Sequence, residues 1–587
     1  MRTFEEIKTT VETGLGKHIC DLKLENVQLV NVFSGEIYPS NIFVKDSRIV
    51  SIDPDVKLEA VEVIDGQGAY AIPGFIDAHM HFESTMLSPE ALSNEILPHG
   101  TTTICADLME IANVAGAEGL EVMLRSIEDL PYRMIIEVPS RVPTAPGLET
   151  TGAILDAHEV AKIMDWPESV SLGELDPSKI LFVQEEYLHK VADTLARRKI
   201  VNGHAIGRHG QELNVYASSG ISDDHECVTI DELTSRLRVG LKVMIREGST
   251  ERNVDELISG VLEHNLPTDN LMFCTDDKQV QDIRNEGHIN YNVSKAIKLG
   301  MEPMTAIKLA TINSAKHFRL EDEIGSITPG RLADILLVTD LNKLEPSHVF
   351  FEGKLVAQEG ALLESCHSSE YPAWILDTVK LKNPITDQSF ALPAKSTNKT
   401  TKVRVIDLVD KQIINRSASV ILAVSNGLIE PSVSEDILKL AVVERYGKTG
   451  GVGVAFVRGF GLDKGALAYS MSHDHHNIVV VGTNDADMAL AVNTVHEDKG
   501  GLSAVCNGEV LARMSLPIGG LMSPLSSDDV MKGVEIMNDA ARKLGCTLPS
   551  PYMTLSFISL PTVPAMGLTD FGLIDVLQHK LIEVEII

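Results

Sequence analysis

At 587 residues the chain exceeds what one hydrophobic core organises, so two or three domains are expected. Its 44% hydrophobic and 23% charged residues exclude a disordered or fibrous protein. The formal net charge of -32 argues against a nucleic-acid partner, whose phosphates need clustered Lys and Arg, and suits a small neutral or cationic substrate.

Residues Met1 to Lys17 mix Arg2, Glu5, Glu6, Lys8 and Glu12 without an apolar centre, so they do not read as a signal peptide. No run approaches the ~18 apolar residues that cross a bilayer. Seven cysteines, odd in number and never spaced Cys-x-x-Cys, predict reduced thiols in a cytoplasmic protein. From Asp21, short alternating runs at Leu22-Lys23-Leu24, Val27 to Val32, Ile42 to Val44, Ile49 to Ile52 and Val61 to Ile64 are punctuated by Ser34-Gly35, Asp46-Ser47 and Asp65-Gly66. They predict a small β-sandwich-like module over residues 1–72.

That module stops at Pro73-Gly74, where the run Phe75-Ile76-Asp77-Ala78-His79-Met80-His81-Phe82-Glu83 begins. In a strand alternate side chains share a face, so His79 and His81 project together with Met80 turned away. Two neutral imidazoles converging on one point suit a divalent metal, because each offers a lone pair and neither adds charge.

Eight β-like runs follow between Phe75 and Asp277: Phe75 to Glu83, Thr101 to Asp107, Arg133 to Val138, Val170 to Glu174, Ile200 to His204, Gly220 to His225, Lys242 to Arg246 and Leu271 to Asp276. Helical patterns separate most of them. Eight strands alternating with helices over roughly 200 residues predict a (β/α)₈ barrel of the TIM type over residues 73–323. A doubly wound sheet fits less well, since no Gly-x-Gly-x-x-Gly turn is present. His79 and His81, Asp107 with Glu110, Glu174, His204, His225 with Glu226, and Asp276 with Asp277 fall at or just beyond the C-terminal ends of these runs. In such a barrel that face carries the active site.

Pro303 to His317 reads as one helix, and Ile324 to Val338, Val349 to Phe351 and Lys354 to Val356 return to strand, so residues 324–365 are expected to complete the N-terminal module around the inserted barrel. Residues 366–400, rich in proline toward Tyr371 to Thr400, read as a linker. A C-terminal α/β domain over 401–587 is expected, with strands at Val403 to Leu408, Val452 to Val457 and Asn477 to Gly482 and helices at Asp485 to Val495 and Asp528 to Lys543.

The Pro-Gly-Phe-Ile-Asp-Ala-His-Met-His run, Gly203-His204, Asp224-His225 and Thr275-Asp276 resemble the amidohydrolase superfamily. Gly100-Thr101-Thr102-Thr103, Leu172-Gly173-Glu174, Ser222-Asp223-Asp224-His225-Glu226, Met244 to Ser249, Ser472-His473-Asp474-His475-His476-Asn477 and Tyr552 to Phe557 are similar to the adenine deaminase family in particular. The resemblance runs nearly the length of the chain. It implies a barrel holding a binuclear Mn(2+) or Fe(2+) centre, Zn(2+) being compatible as well. His79, His81 and Asp276 would hold one ion, His204 and His225 the other, and Glu174 would bridge them. It implies hydrolytic deamination of adenine to hypoxanthine and ammonia by a metal-activated hydroxide, with Asp276 or Glu174 carrying the proton. Glu83, Ser84, Glu110, Glu247 and Asp277 stand where they could contact the purine. No membrane partner is implied, and a homodimer is compatible with the family.

Three readings stay open. His473, His475 and His476 could cover the barrel mouth, form a separate metal patch, or be plain surface histidines. Asp107-Leu108-Met109-Glu110 departs from the family's Asp-Pro-His-Glu, and Ile206 follows His204-Ala205 where the family has proline. These departures leave the six proposed ligands in place and make another aminopurine a plausible substrate. A cyclic amidase of the same superfamily usually bridges its ions with a carbamylated lysine, where this chain offers Glu174. The zinc deaminases that need Pro-Cys-x-x-Cys are excluded.

Overall fold

In the computed structural model, residues 2–366, 369–409, 414–563 and 565–586 are described. Strands Cys20–Asn31, Glu36–Lys45, Arg48–Ser51, Ala60–Asp65 and Tyr70–Pro73 share one nine-stranded sheet with Ile335–Val338, Pro346–Phe351, Lys354–Gln358 and Ala361–Leu362. The seam between its two halves is antiparallel, with Pro73 opposite Ile335 and Tyr70 opposite Val338. The chain therefore leaves this sheet at Pro73 and rejoins it about where the sequence turns apolar again. One face of the sheet buries Leu22, Leu24, Leu29, Ile42, Ala71, Ile335 and Leu337 together, the alternate positions that the pleat directs to one side.

The excursion contains eight strands: β1 (Phe75–Met80), β2 (Thr101–Asp107), β3 (Arg133–Val138), β4 (Ser169–Leu175), β5 (Ile200–Gly203), β6 (Asp223–Asp224), β7 (Lys242–Arg246) and β8 (Leu271–Cys274). The first five form one parallel sheet in chain order and the last three another. Backbone bonds also join their margins. Asp276 N–H donates to the His79 carbonyl at 3.0 Å, and Ser222 N–H to the Val201 carbonyl at 2.9 Å. Each strand is almost wholly buried, as expected of parallel strands covered on both sides.

Two expectations about element length change. The sixth run shortens to two residues, whose side chains anchor the end of β5: Asp223 Oδ1 accepts from Gly203 N–H at 3.0 Å and Asp224 Oδ1 from Ala205 N–H at 2.8 Å. Pro303 to His317 is two helices, Pro303–Leu309 and Ile312–His317, broken where Thr311 adopts φ -138° and ψ -94°.

Beyond residue 369 the proline-rich segment is packed down. It buries Ile375, Val379, Ile385 and Phe390, and its backbone bonds Arg445 and Gly519. Residues 367–368 of that stretch lie outside the described residues. The C-terminal region contains a ten-stranded sheet, whose strands include Thr400–Leu408, Val452–Arg458 and Ile478–Gly482, a small three-stranded sheet, and helices Asp485–Glu497, Ser527–Lys543 and Pro551–Ile558. Among the described residues no helix is long and apolar enough to cross a membrane.

Candidate active site

The strand-end residues meet. His79 lies in β1 and His81 just after it, Glu174 lies in β4, His204 and His225 follow β5 and β6, and Asp276 follows β8. Ligand atoms of His79, His81, Glu174 and Asp276 lie within 4.8 Å of one another, and so do those of Glu174, His204 and His225. Glu174 is the hub. Its Oε1 stands 3.1 Å from His79 Nε2, 3.0 Å from His81 Nε2 and 3.2 Å from His225 Nε2, and its Oε2 is 3.6 Å from His204 Nδ1. Asp276 Oδ1 is 3.9 Å from His79 Nε2 and 3.8 Å from His81 Nε2.

The donor chemistry of this cluster fits a cation. His79 Nδ1 faces Glu137 Oε2 at 2.9 Å, and His81 Nδ1 faces the Asp107 carbonyl at 3.1 Å. A carboxylate and a carbonyl only accept, so each Nδ1 carries the proton and a neutral ring turns its Nε2 lone pair toward the Glu174 carboxylate. Acceptor then faces acceptor unless positive charge lies between them. Electrostatics gives the same sign. Burial opposes the charged form of His79, yet Glu137 beside it lifts the ring to about 9. The surrounding acids thus demand a positive charge there, as a proton or as a metal. At His204 burial wins and the pKa falls to about 4, leaving that ring a lone-pair donor.

Two arginines frame the acids. Arg141 donates to Glu174 Oε2, and its Nε bonds the Glu174 carbonyl at 3.0 Å. Arg246 grips both Glu226 oxygens, at 2.7 and 3.0 Å, and reaches Asp276 Oδ2 at 3.0 Å. Against the upward push of burial, that guanidinium holds the Asp276 carboxyl down at about 2.

A cavity opens over the cluster. It is lined by His81, Glu174, His204 and Asp276, by Met109, Glu110 and Asp277, and by His473, Asp474 and Phe557 from the C-terminal region. Of the five residues expected to face substrate, Glu110 and Asp277 line it. Ser84 donates to Asp277 Oδ1 from behind, and Glu83 is buried with Oε1 3.4 Å from Ile111 N–H. Glu247 is turned away, because Lys295 at 2.8 Å and Val254 N–H at 3.2 Å take its carboxylate. His473, His475 and His476 are all buried, which removes the surface reading.

Glu137, Arg141 and Arg246 were not singled out by the sequence as site residues. A lone acid inside the apolar run Met134 to Val138 was the available signal for Glu137. Because it orients His79, Glu137→Gln is expected to lower metal affinity and activity by ~10–100-fold, measured by metal titration and ammonia release. Gly173 gives a second prediction. A Cβ there would sit 2.2 Å from Asp107 Oδ2, so the buried Asp107 carboxylate would have to shift. Gly173→Ala should displace the adjoining Glu174 and cost about 1–3 kcal/mol of stability, read as a lower melting temperature together with reduced metal content.

Comparison with known proteins supplies kinship. Residues 70–356 match the model of the amidohydrolase family, and residues 412–580 match that of the adenine deaminase C-terminal domain. The chain is 55% identical over 572 residues to an adenine deaminase of Desulforamulus reducens, covering 97% of each chain. It is 39% identical over 576 residues to one of Dehalococcoides mccartyi, covering 98% of each, and 38% over 584 residues to one of Moorella thermoacetica, covering 99% of this chain and 98% of that one. Similarity this high, sustained across both the strand-end cluster and the C-terminal sheet, means that the chain belongs to the adenine deaminase family.

Proposed function

We propose that the protein hydrolyses adenine to hypoxanthine and ammonia. The observation that carries this reading is the convergence of His79, His81, Glu174, His204, His225 and Asp276, from five strands, on one carboxylate beneath a cavity. Similarity to adenine deaminases over nearly the whole chain supports the substrate.

The two parallel sheets are read as arcs of one (β/α)₈ barrel, supported by the bonds that join β1 to β8 and β5 to β6. Residues 1–72 and 324–365 then form one domain, 73–323 the barrel and 401–587 the C-terminal domain, with 366–400 crossing between them. A cytoplasmic location fits the seven free cysteines.

His79, His81 and Asp276 would hold one divalent ion, His204 and His225 the second, and Glu174 both. Imidazole and carboxylate donors without a thiolate suit Mn(2+) or Fe(2+), and Zn(2+) is also compatible. A bound divalent ion supplies Lewis acidity, lowering the pKa of water to about 7. The chain's own work is proton handling and placement. Asp276 Oδ1 faces the ring nitrogens of His79 and His81, and Arg246 keeps it ionised, ready to accept the proton of the attacking water. Asp276 then returns that proton to the exocyclic nitrogen as the C6–N bond breaks and C6–O remains. Adenine is neutral, so the acidic protein does not oppose its entry.

The test is protein from manganese-supplemented cells, assayed for ammonia release from aminopurines and cyclic amides. Adenine is expected to be the best substrate. Turnover of a cyclic amide with none of adenine overturns the assignment. Met109 in the cavity wall makes other 6-aminopurines worthwhile members of that panel.

A further inference from the structure

We infer that Glu110 and His473 together form the edge that binds the ring nitrogens of the heterocycle, so that the C-terminal region completes the substrate site. The inference rests on the deaminase reading and extends it.

Both side chains are buried and line the cavity, and both carry polar atoms that no hydrogen bond satisfies among the described residues. His473 has neither Nδ1 nor Nε2 bonded, and Glu110 has neither oxygen bonded. The two face each other with Nε2 3.7 Å from Oε1, too far for a hydrogen bond. Glu110 Oε2 has His81 Nδ1 at 3.4 Å, a nitrogen that it shares with the nearer Asp107 carbonyl at 3.1 Å. Buried polar groups are ordinarily paired, and an unpaired couple aimed into a cavity is what a bound polar molecule would complete.

The His473 ring is positioned by contacts that leave its nitrogens free. It stacks on Phe557 with centroids 4.6 Å apart and planes 25° apart, its backbone N–H donates to the Ser556 carbonyl at 3.0 Å, and the next residue, Asp474, stands 3.4 Å from Arg141 Nη1. These links tie the C-terminal loop to the guanidinium that also holds Glu174. The complementary ligand is a flat heterocycle presenting an N–H beside a bare ring nitrogen. Glu110, which only accepts, takes the N–H, and the imidazole of His473 donates to the neighbouring nitrogen. Phe557 adds an apolar wall.

The experiment compares metal-loaded wild type with His473→Phe, which keeps the ring stack and removes both nitrogens, His473→Gln, which restores an N–H, Glu110→Gln, and the His473→Phe/Glu110→Gln double variant. For adenine, His473→Phe should raise KM about tenfold or more, with kcat within about threefold. Metal content and melting temperature should not move. His473→Gln should recover part of the loss. The double variant should raise KM by less than the product of the single effects, because both groups act through one bound ring. A KM for His473→Phe within about twofold of wild type, or single effects that multiply fully, overturns the inference. If His473→Phe fails to fold, His473→Gln and Glu110→Gln are judged by the same KM criterion. If wild type ignores adenine yet deaminates another heterocycle, the adenine reading falls, and the same comparison on that heterocycle decides the pair.

Discussion

Glu174→Ala is expected to abolish deamination and empty the metal site while the protein still folds. The Oε1 of this residue lies near three imidazole nitrogens, two from β1 and its end and one from the end of β6, and its Oε2 reaches toward a fourth ring. Truncation removes the shared acceptor and leaves each pair of histidines without the carboxylate that joins them. Loss of a proton-carrying side chain alone costs ~10²–10⁴-fold. Loss of the ions as well should carry the defect past ~10⁴-fold. A structural cost accompanies it, since Arg141 is buried and would keep only the residue-174 carbonyl at 3.0 Å and Asp474 at 3.4 Å. Breaking a buried ion pair from one side costs about 3–5 kcal/mol, so a lower melting temperature is expected too. Glu174→Gln separates the two effects, because it keeps size and an acceptor oxygen for Arg141 while weakening ligation. Metal analysis of both variants, alongside ammonia release, is the measurement. Full metal content and a tenth of the activity in Glu174→Ala would remove Glu174 from the centre of the site.

The convergence of the strand-end residues was legible because strand geometry is simple. His79 and His81 are two residues apart in a β run, and Glu174, His204, His225 and Asp276 each end a run, so a parallel architecture gathers them on one face. The residues that tune the cluster were not. Arg141 lies in a loop after β3, and its partners Glu174 and Asp474 are 33 and 333 residues away, distances that no local pattern encodes. The same limit applies to His473 to His476, since a buried histidine and an exposed one look alike in sequence. Only the packing of the C-terminal sheet against the cavity separates them. Residues 371–400 misled for a different reason. Prolines and lysines gave a linker composition, while Ile375, Val379, Ile385 and Phe390 are spaced without a helical or strand period and still enter the core. Glu247 sits near the strand ends in sequence but bonds Lys295, a helix residue whose approach the sequence does not reveal.

Asp276→Asn should separate proton transfer from metal holding. The substitution keeps an oxygen that can face His79 and His81 and removes the capacity to accept a proton. Its structural cost is small, because Arg246 retains both bonds to Glu226, at 2.7 and 3.0 Å, when its 3.0 Å contact with Asp276 weakens. The expected result is a kcat lower by ~10²–10⁴-fold, with KM for adenine little changed and most of the metal kept. A fall confined to kcat identifies a group that acts in the transition state rather than in binding adenine. If the variant instead loses its metal in proportion to its activity, ligation is the main contribution of Asp276 and the proton passes through Glu174. Exchange of the bound ion during dialysis distinguishes these outcomes before any kinetics are measured. The contrast with Glu110 and His473 is then sharp: changes at the proposed ring-binding edge should appear in KM, and changes at Asp276 in kcat, two signatures from residues that line one cavity.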